Sequence, residues 1–261
     1  GICAAGTALF LFPGMDAWLV IPLVLAASAL GGLVWSLIPA LLKAKLKVNE
    51  ILTTLLLNYV AIIYMEHLFY GPWRDPAGFG FPGTAQIPEA AHLVRFAGTR
   101  ISLGFPLALL CAVFLYYLLK KSIWGYQVLV IGKEQRAARY AGFNVNGKIL
   151  TVMALSGAFA GMAGMVEVCG IHYRLQTGLA VGYGYDGIIV AWLAGLNPLA
   201  VPFTAILLGA LFVGGEQLQS VLGLPSSISL ILEGALLFGL FAGQALGGYT
   251  VTISGRSKVA S

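Results

Sequence analysis

The sequence has 261 residues, 59% of them hydrophobic and 10% charged, with a mean hydropathy of +0.90 and a net charge of +5. A soluble domain needs about a quarter of its residues charged to cover its surface, so this composition excludes an ordinary water-soluble enzyme and makes lipid the main solvent. The positive balance does not point to nucleic acid, because the basic residues sit in short stretches between apolar runs, a placement that sets membrane topology.

At about 20 residues per crossing, the length allows roughly six to eight helical spans. The first apolar run, Gly1–Phe12, is a partial span with neither a Met nor a basic leader before it, and we read the chain as missing its natural start. Further runs cover Trp18–Leu42, Ile51–Tyr70, Ile101–Leu119, Ile149–Gly170, Leu199–Val221 and Ser226–Gly247. Pro22, Pro39, Pro106 and Pro202 are expected near span ends, where a missing N–H does least harm. The fold class is therefore all-α, a polytopic transmembrane bundle forming one membrane domain over 1–261.

Lysine and arginine assign the two sides. Eleven of them lie at Lys43–Lys47, at Lys120–Lys148 and at Arg256 and Lys258, against four in Gly71–Arg100 and Ile171–Tyr185. The first group is placed in the cytoplasm, together with the C-terminus, and the long loop of about 71–100 outside. An odd number of crossings must then separate Tyr185 from the tail, which makes the short run Asp186–Leu196 part of a crossing. Eleven helical residues rise only about 16 Å, so a short or broken helix is expected there, preceded by Gly178, Gly182 and Gly184 and ended by Asn197–Pro198. Broken helices at membrane depth are tolerated against protein or a water-filled cavity, and in transporters they often border the substrate path.

Polar residues within the spans are the candidates for that path. A charge at mid-bilayer costs about 2.5–3.5 kcal/mol even on lenient scales, so it faces a cavity or a partner. Asn49 and Glu50 open a span, where capping is the plain reading and gating the functional one. Thr54, Asn58 and Tyr59 continue inward, and Asp186 begins the short helix; with Asn49 and Glu50 these six form the candidate translocation set. Glu66 and Glu167 are read as interfacial, and Glu216 and Glu233 fall in late spans. Cys3, Cys111 and Cys169 have no ligand spacing and read as packing residues. His67, His92 and His172 form no metal-binding pair within a span, and no Ser/His/Asp set converges. No catalytic residue, metal or cofactor is assigned. Ser156-Gly157, Gly161 and Gly164 form a small-residue stripe suited to close helix packing.

The cytoplasmic stretch 120–148 carries the most information. Its centre, KEQRAARYA at Lys133–Ala141, ends at Gly142, a natural left-handed stop. Read as one helix, it puts Ala137 and Ala141 on one face with Ala138 beside them, flanked by Arg136, Arg139 and Tyr140. A smooth face with basic edges suits docking into a partner's groove; an ordinary solvated helix is the other reading. No phosphate-binding GxxxxGK[ST] loop occurs, and the GxGxxG at Gly182–Gly187 lacks any surrounding βαβ unit.

KVNEILTTLLLNYVA (Lys47–Ala61), GYQVLVIGKEQRAARYAGFNVNGKILTVMALSGAFAGMAG (Gly125–Gly164) and GYGYDGIIVAWLAGLNPLAVPFTAILLGALFVGG (Gly182–Gly215) follow one another along the chain in that order. Together they resemble the membrane subunits of ATP-binding cassette importers for simple sugars, nucleosides and branched-chain amino acids, nearest the nucleoside branch. Trp192 and Ala194 depart from the smaller residues commoner in that family. The resemblance implies a type II-like importer permease in the bacterial inner membrane, paired with a second permease subunit. It also implies cytoplasmic ATPase subunits, an extracytoplasmic binding protein, and a nucleoside or simple sugar as solute. Lys133, Glu134, Arg136, Ala137, Ala138, Ala141 and Gly142 would then couple ATP-driven motion to the path. An ion-driven secondary carrier is the alternative, and a membrane-embedded enzyme a third.

Overall fold

The computed structural model describes residues 1–11, 16–78, 80–96, 101–179 and 182–222, together with scattered positions between 227 and 243. The run Ser226–Gly247 apart from those positions, Glu233 and the basic tail lie outside the described residues, and Glu216 is described only by its backbone. Residues Gly1–Gly182 form one compact unit and the chain from Tyr183 onward a second.

The first unit begins with α1 (Ile2–Gly6), continued as a π-helical turn over Thr7–Leu11. Then follow α2 (Ala17–Leu46), α3 (Glu50–Tyr70), α4 (Gly104–Lys121), α5 (Ile123–Lys133), α6 (Gln135–Tyr140) and α7 (Val145–Glu167). A second π segment, Val168–His172, extends α7. Among the described residues, four helices are long and apolar enough to cross a membrane: Ala17–Leu46, Glu50–Tyr70, Gly104–Lys121 and Val145–His172. Their flanks are covered with exposed apolar side chains such as Leu56, Ile63, Leu110 and Phe114, more contiguous apolar surface than a soluble monomer carries.

α2 runs longer than the hydropathy run suggested, so Pro22 and Pro39 lie inside it and not near its ends. Pro106 and Pro202 do occupy first turns, where the proline nitrogen would have had no helical partner.

The heart of this unit is the contact between α2 and α7. The glycine stripe is what lets the two backbones meet. A Cβ on Gly157 would lie 2.2 Å from Ser36 Oγ and 2.4 Å from the Gly32 carbonyl oxygen, and one on Gly161 would lie 2.0 Å from the Ser28 carbonyl oxygen. Small residues substitute for the hydrophobic effect in lipid by allowing dense van der Waals contact. Gly157 and Gly161 are buried, whereas Ser156 is exposed and takes no part in the crossing. Around one end cluster Ala4, Ala8, Val20, Val24, Met165, Val168 and Phe69.

The long loop is not loose. Thr84 N–H donates to the Leu175 carbonyl oxygen at 2.9 Å, and Leu175 N–H donates to Thr84 Oγ1 at 3.1 Å. Ile87 N–H reaches Tyr173 O at 2.8 Å and Leu93 N–H reaches Cys169 O at 2.9 Å. Ile87, Ala91, Leu93 and Leu175 are all buried beneath this cap. The two loops read as exterior thus form one folded lid over the ends of their helices.

In the second unit, α8 (Tyr183–Leu193) is eleven residues long and α9 spans Val201–Leu222. The expected short helix is present but starts three residues earlier, so Gly184 belongs to its first turn and not to a preceding hinge. It ends where Gly195 and Leu196 adopt positive φ values of 60° and 57°. Thr204 Oγ1, on α9, donates to the Val190 carbonyl oxygen at 3.3 Å and ties the two helices together.

Candidate functional site

The candidate residues fall into three places. Asn49 and Glu50 open α3 at the end where α2 closes. Asn49 Oδ1 accepts from Ile51 N–H at 2.9 Å, the arrangement of an N-cap. Glu50 sits in the first turn, where its charge suits the helix dipole, and forms an ion pair with Lys43 of α2. Thr54 is exposed and turns its hydroxyl back to the Glu50 carbonyl oxygen at 2.8 Å. At 100° per residue, Glu50, Thr54 and Asn58 share one stripe of α3, while Tyr59 projects about 100° away from Asn58. Asn58 and Tyr59 are exposed on the surface of this chain. Asp186 lies in the first turn of α8, in the second unit. The structure therefore places Asn49, Glu50, Thr54, Asn58 and Tyr59 at or along one helix of the first unit, while Asp186 belongs to the second.

The segment read as cytoplasmic differs from the single helix expected over Lys133–Gly142. Glu134 has extended backbone (φ −151°, ψ 102°) and breaks it into α5 and α6, and its Oε1 accepts from Arg136 N–H at 3.0 Å to cap the second piece. Glu134 is thus a cap, a role its helix-forming neighbours concealed. Gly142 adopts φ 79° and stops the segment, as its position suggested. Phe143 N–H donates to Ala138 O at 3.0 Å as the chain turns toward α7.

The face of α6 also needs correcting. Ala138 is fully buried against Ile131 and Val145 and contributes nothing to an exposed surface. Ala137, Tyr140 and Ala141 do point outward, Tyr140 with 94% of its surface exposed. Arg136 and Arg139 lie on a different side. With Lys43, Lys45 and Lys47 from the end of α2, they line a cleft of about 740 Å³. One short helix thus has an anchored residue, a free smooth face, and a basic side turned to a cleft.

Sequence spacing missed that cleft, because Lys43–Lys47 and Arg136–Arg139 are about ninety residues apart and meet only through the α2–α7 crossing. It also missed a contact at the other end. The π segment after α7 brings His172 Nδ1 to 3.3 Å from Glu167 Oε1, an electrostatic contact without the direction of a hydrogen bond. Residues five apart meet in a π turn and not in an α-helix. Glu167 is accordingly half-buried with His172 beside it, whereas Glu66 is exposed. His92 and Arg95 stack on Tyr173 nearby, at 4.1 Å and 5.2 Å between ring or guanidinium centres.

Comparison with known proteins fits this arrangement. The family model described as "Branched-chain amino acid transport system / permease component" matches residues 1–241. The chain is 31% identical to the glucose ABC transporter permease protein of Haloferax volcanii over 96% of its own length and 68% of that protein's. It is 34% identical to the guanosine ABC transporter permease protein of Bacillus subtilis, over 85% and 65%, and 24% identical to a nucleoside ABC transporter permease protein of Lactococcus lactis, over 87% and 65%. The chain thus spans about two thirds of the length of these relatives. No solved structure matches it. With its long apolar helices and this match over most of its length, the chain belongs to the branched-chain amino acid transport system permease family of ABC transporters and is a multi-pass protein of the plasma membrane.

Proposed function

We propose that this chain is the membrane subunit of an importer that passes a small polar solute, a nucleoside or a simple sugar, with energy from a separate ATPase. The observation that carries the reading is α6: a short helix anchored by Ala138 that holds Ala137, Tyr140 and Ala141 outward at the basic end of the molecule. An ATPase groove pressing on that face would move α7 through the Ala138–Val145 packing, and α7 is locked to α2 by the glycine contacts. Motion at one end would thereby travel along two rigid spans toward the lid.

The solute class is supported by the relatives named for guanosine, nucleoside and glucose transport. In this reading a second permease subunit completes the path, which the stripe of Glu50, Thr54 and Asn58 on α3 and Asp186 in the short helix α8 would line. An extracytoplasmic binding protein would supply solute at the lid, and the C-terminus would be cytoplasmic. ATP hydrolysis would reside in the partner, leaving this chain without catalytic groups.

The test is uptake of labelled guanosine and glucose into proteoliposomes holding the permease with its ATPase and binding protein. ATP-dependent uptake without any ion gradient is expected. Uptake that needs a gradient and ignores the ATPase would replace this reading with a secondary carrier.

A further inference from the structure

The cleft at the basic end has a composition that docking of α6 does not require. Five cationic side chains converge on it: Lys43, Lys45 and Lys47 from α2, and Arg136 and Arg139 from α6. Only Lys43 has a carboxylate partner, Glu50; among the described residues Lys45, Lys47, Arg136 and Arg139 have none. Glu134, the remaining acidic group close by, turns its Oε1 to the Arg136 backbone as a cap. Lys47 closes α2 at φ 55°, a left-handed position that glycine would hold at lower cost. The N-terminus of the 23-residue α7 opens on the same cleft through Asn144 and Val145, adding the positive end of its dipole.

Lys45, Lys47, Arg136 and Arg139 are all exposed around one space, so an anion entering it would meet four cations at once. The walls state what kind of anion. Phe143, Val145 and Ile149 line the cleft beside the cations, and the helices on either side, α2 and α7, are both long enough to cross a membrane. A phosphate seated among Lys45, Lys47 and Arg139 would lie at the end of two apolar spans, at the depth of a lipid headgroup. Basic pockets between spans at a leaflet surface suit anionic lipid.

We infer that this cleft binds the phosphate headgroup of an anionic phospholipid, whose acyl chains run along the apolar flanks of α2 and α7. The lipid bridges the end of α2 to α6, so it steadies the segment that carries the outward face of Ala137 and Tyr140. This holds for whichever leaflet the basic end occupies, and it does not depend on which solute the permease carries.

The experiment is native mass spectrometry of the intact permease drawn from vesicles of phosphatidylcholine doped with phosphatidylglycerol. The wild type should retain phosphatidylglycerol in preference to phosphatidylcholine, and inorganic phosphate at matched concentration should not displace it. Combined Lys45→Gln, Lys47→Gln and Arg139→Gln should weaken retention on the order of a hundredfold, and each single substitution about fivefold, the single variants serving if the triple does not fold. Lys120→Gln with Lys121→Gln, at the end of α4 and outside the cleft, should leave retention unchanged. Undiminished retention in the cleft variants, an equal loss in the α4 variant, or displacement by inorganic phosphate would each overturn the assignment.

Discussion

Gly161 meets Ser28 so closely that a Cβ on Gly161 would sit 2.0 Å from the Ser28 carbonyl oxygen, with backbone and not a yielding side chain in the way. Gly161→Ala should therefore force α2 and α7 apart and cost about 1–3 kcal/mol. Gly132, in α5, has nothing within 4 Å of such a Cβ, so Gly132→Ala should be neutral or stabilising by up to about 1 kcal/mol. Thermal unfolding of the two variants in one detergent checks both signs; equal midpoints would mean the crossing is not what holds the unit together.

Thr84 makes two hydrogen bonds that hold the lid, accepting from Leu175 N–H at 3.1 Å and donating to Ala85 O at 3.1 Å, while almost wholly buried. Thr84→Val keeps the shape but leaves the Leu175 N–H unpaired, at a cost of about 1–3 kcal/mol. Hydrogen exchange should quicken at Leu175 and Ile87 and stay unchanged in α2. Uniform quickening across the chain would show that the lid does not open as a separate unit.

Asn49→Ala should remove the cap of α3 and cost about 1 kcal/mol, and Asn49→Ser should restore most of it. The Lys43–Glu50 pair lies partly in solvent, so a double-mutant cycle with Lys43→Gln and Glu50→Gln should return a coupling of no more than about 1 kcal/mol. If solute uptake by the Asn49 variants follows stability, the residue is a cap; if Asn49→Ser folds normally yet transports poorly, Asn49 acts in the path.

Much of this was legible from hydropathy alone. The spans at Glu50–Tyr70 and Gly104–Lys121, the short helix near Asp186 and the packing role of Gly157 and Gly161 follow from apolar run length and small-residue spacing, which are local properties. What was not legible depends on contacts distant in sequence. The order of the described part of the loop after α3 comes from bonds such as Thr84 to Leu175, ninety-one residues apart. Ala138 could not be told from Ala137 because both are small; burial against Ile131 and Val145 decides between them. The break at Glu134 overrides a good local helix pattern, since α6 must turn to bring Ala138 to its core. Glu167 and His172 are five apart, a spacing that only the π segment makes into neighbours.

The orientation of α6 is where the account is most exposed. Ala138→Glu should drive a charge into the Ile131–Val145 core and lower stability by several kcal/mol, whereas Ala137→Glu should leave folding intact because its side chain points outward. The decisive measurement is co-purification of the ATPase subunit with Ala137→Glu permease whose thermal midpoint matches the wild type. Loss of the ATPase from that well-folded variant is the predicted result. Retention of the ATPase at wild-type stoichiometry, with ATP-driven uptake intact, would contradict the claim that α6 is where the motor engages.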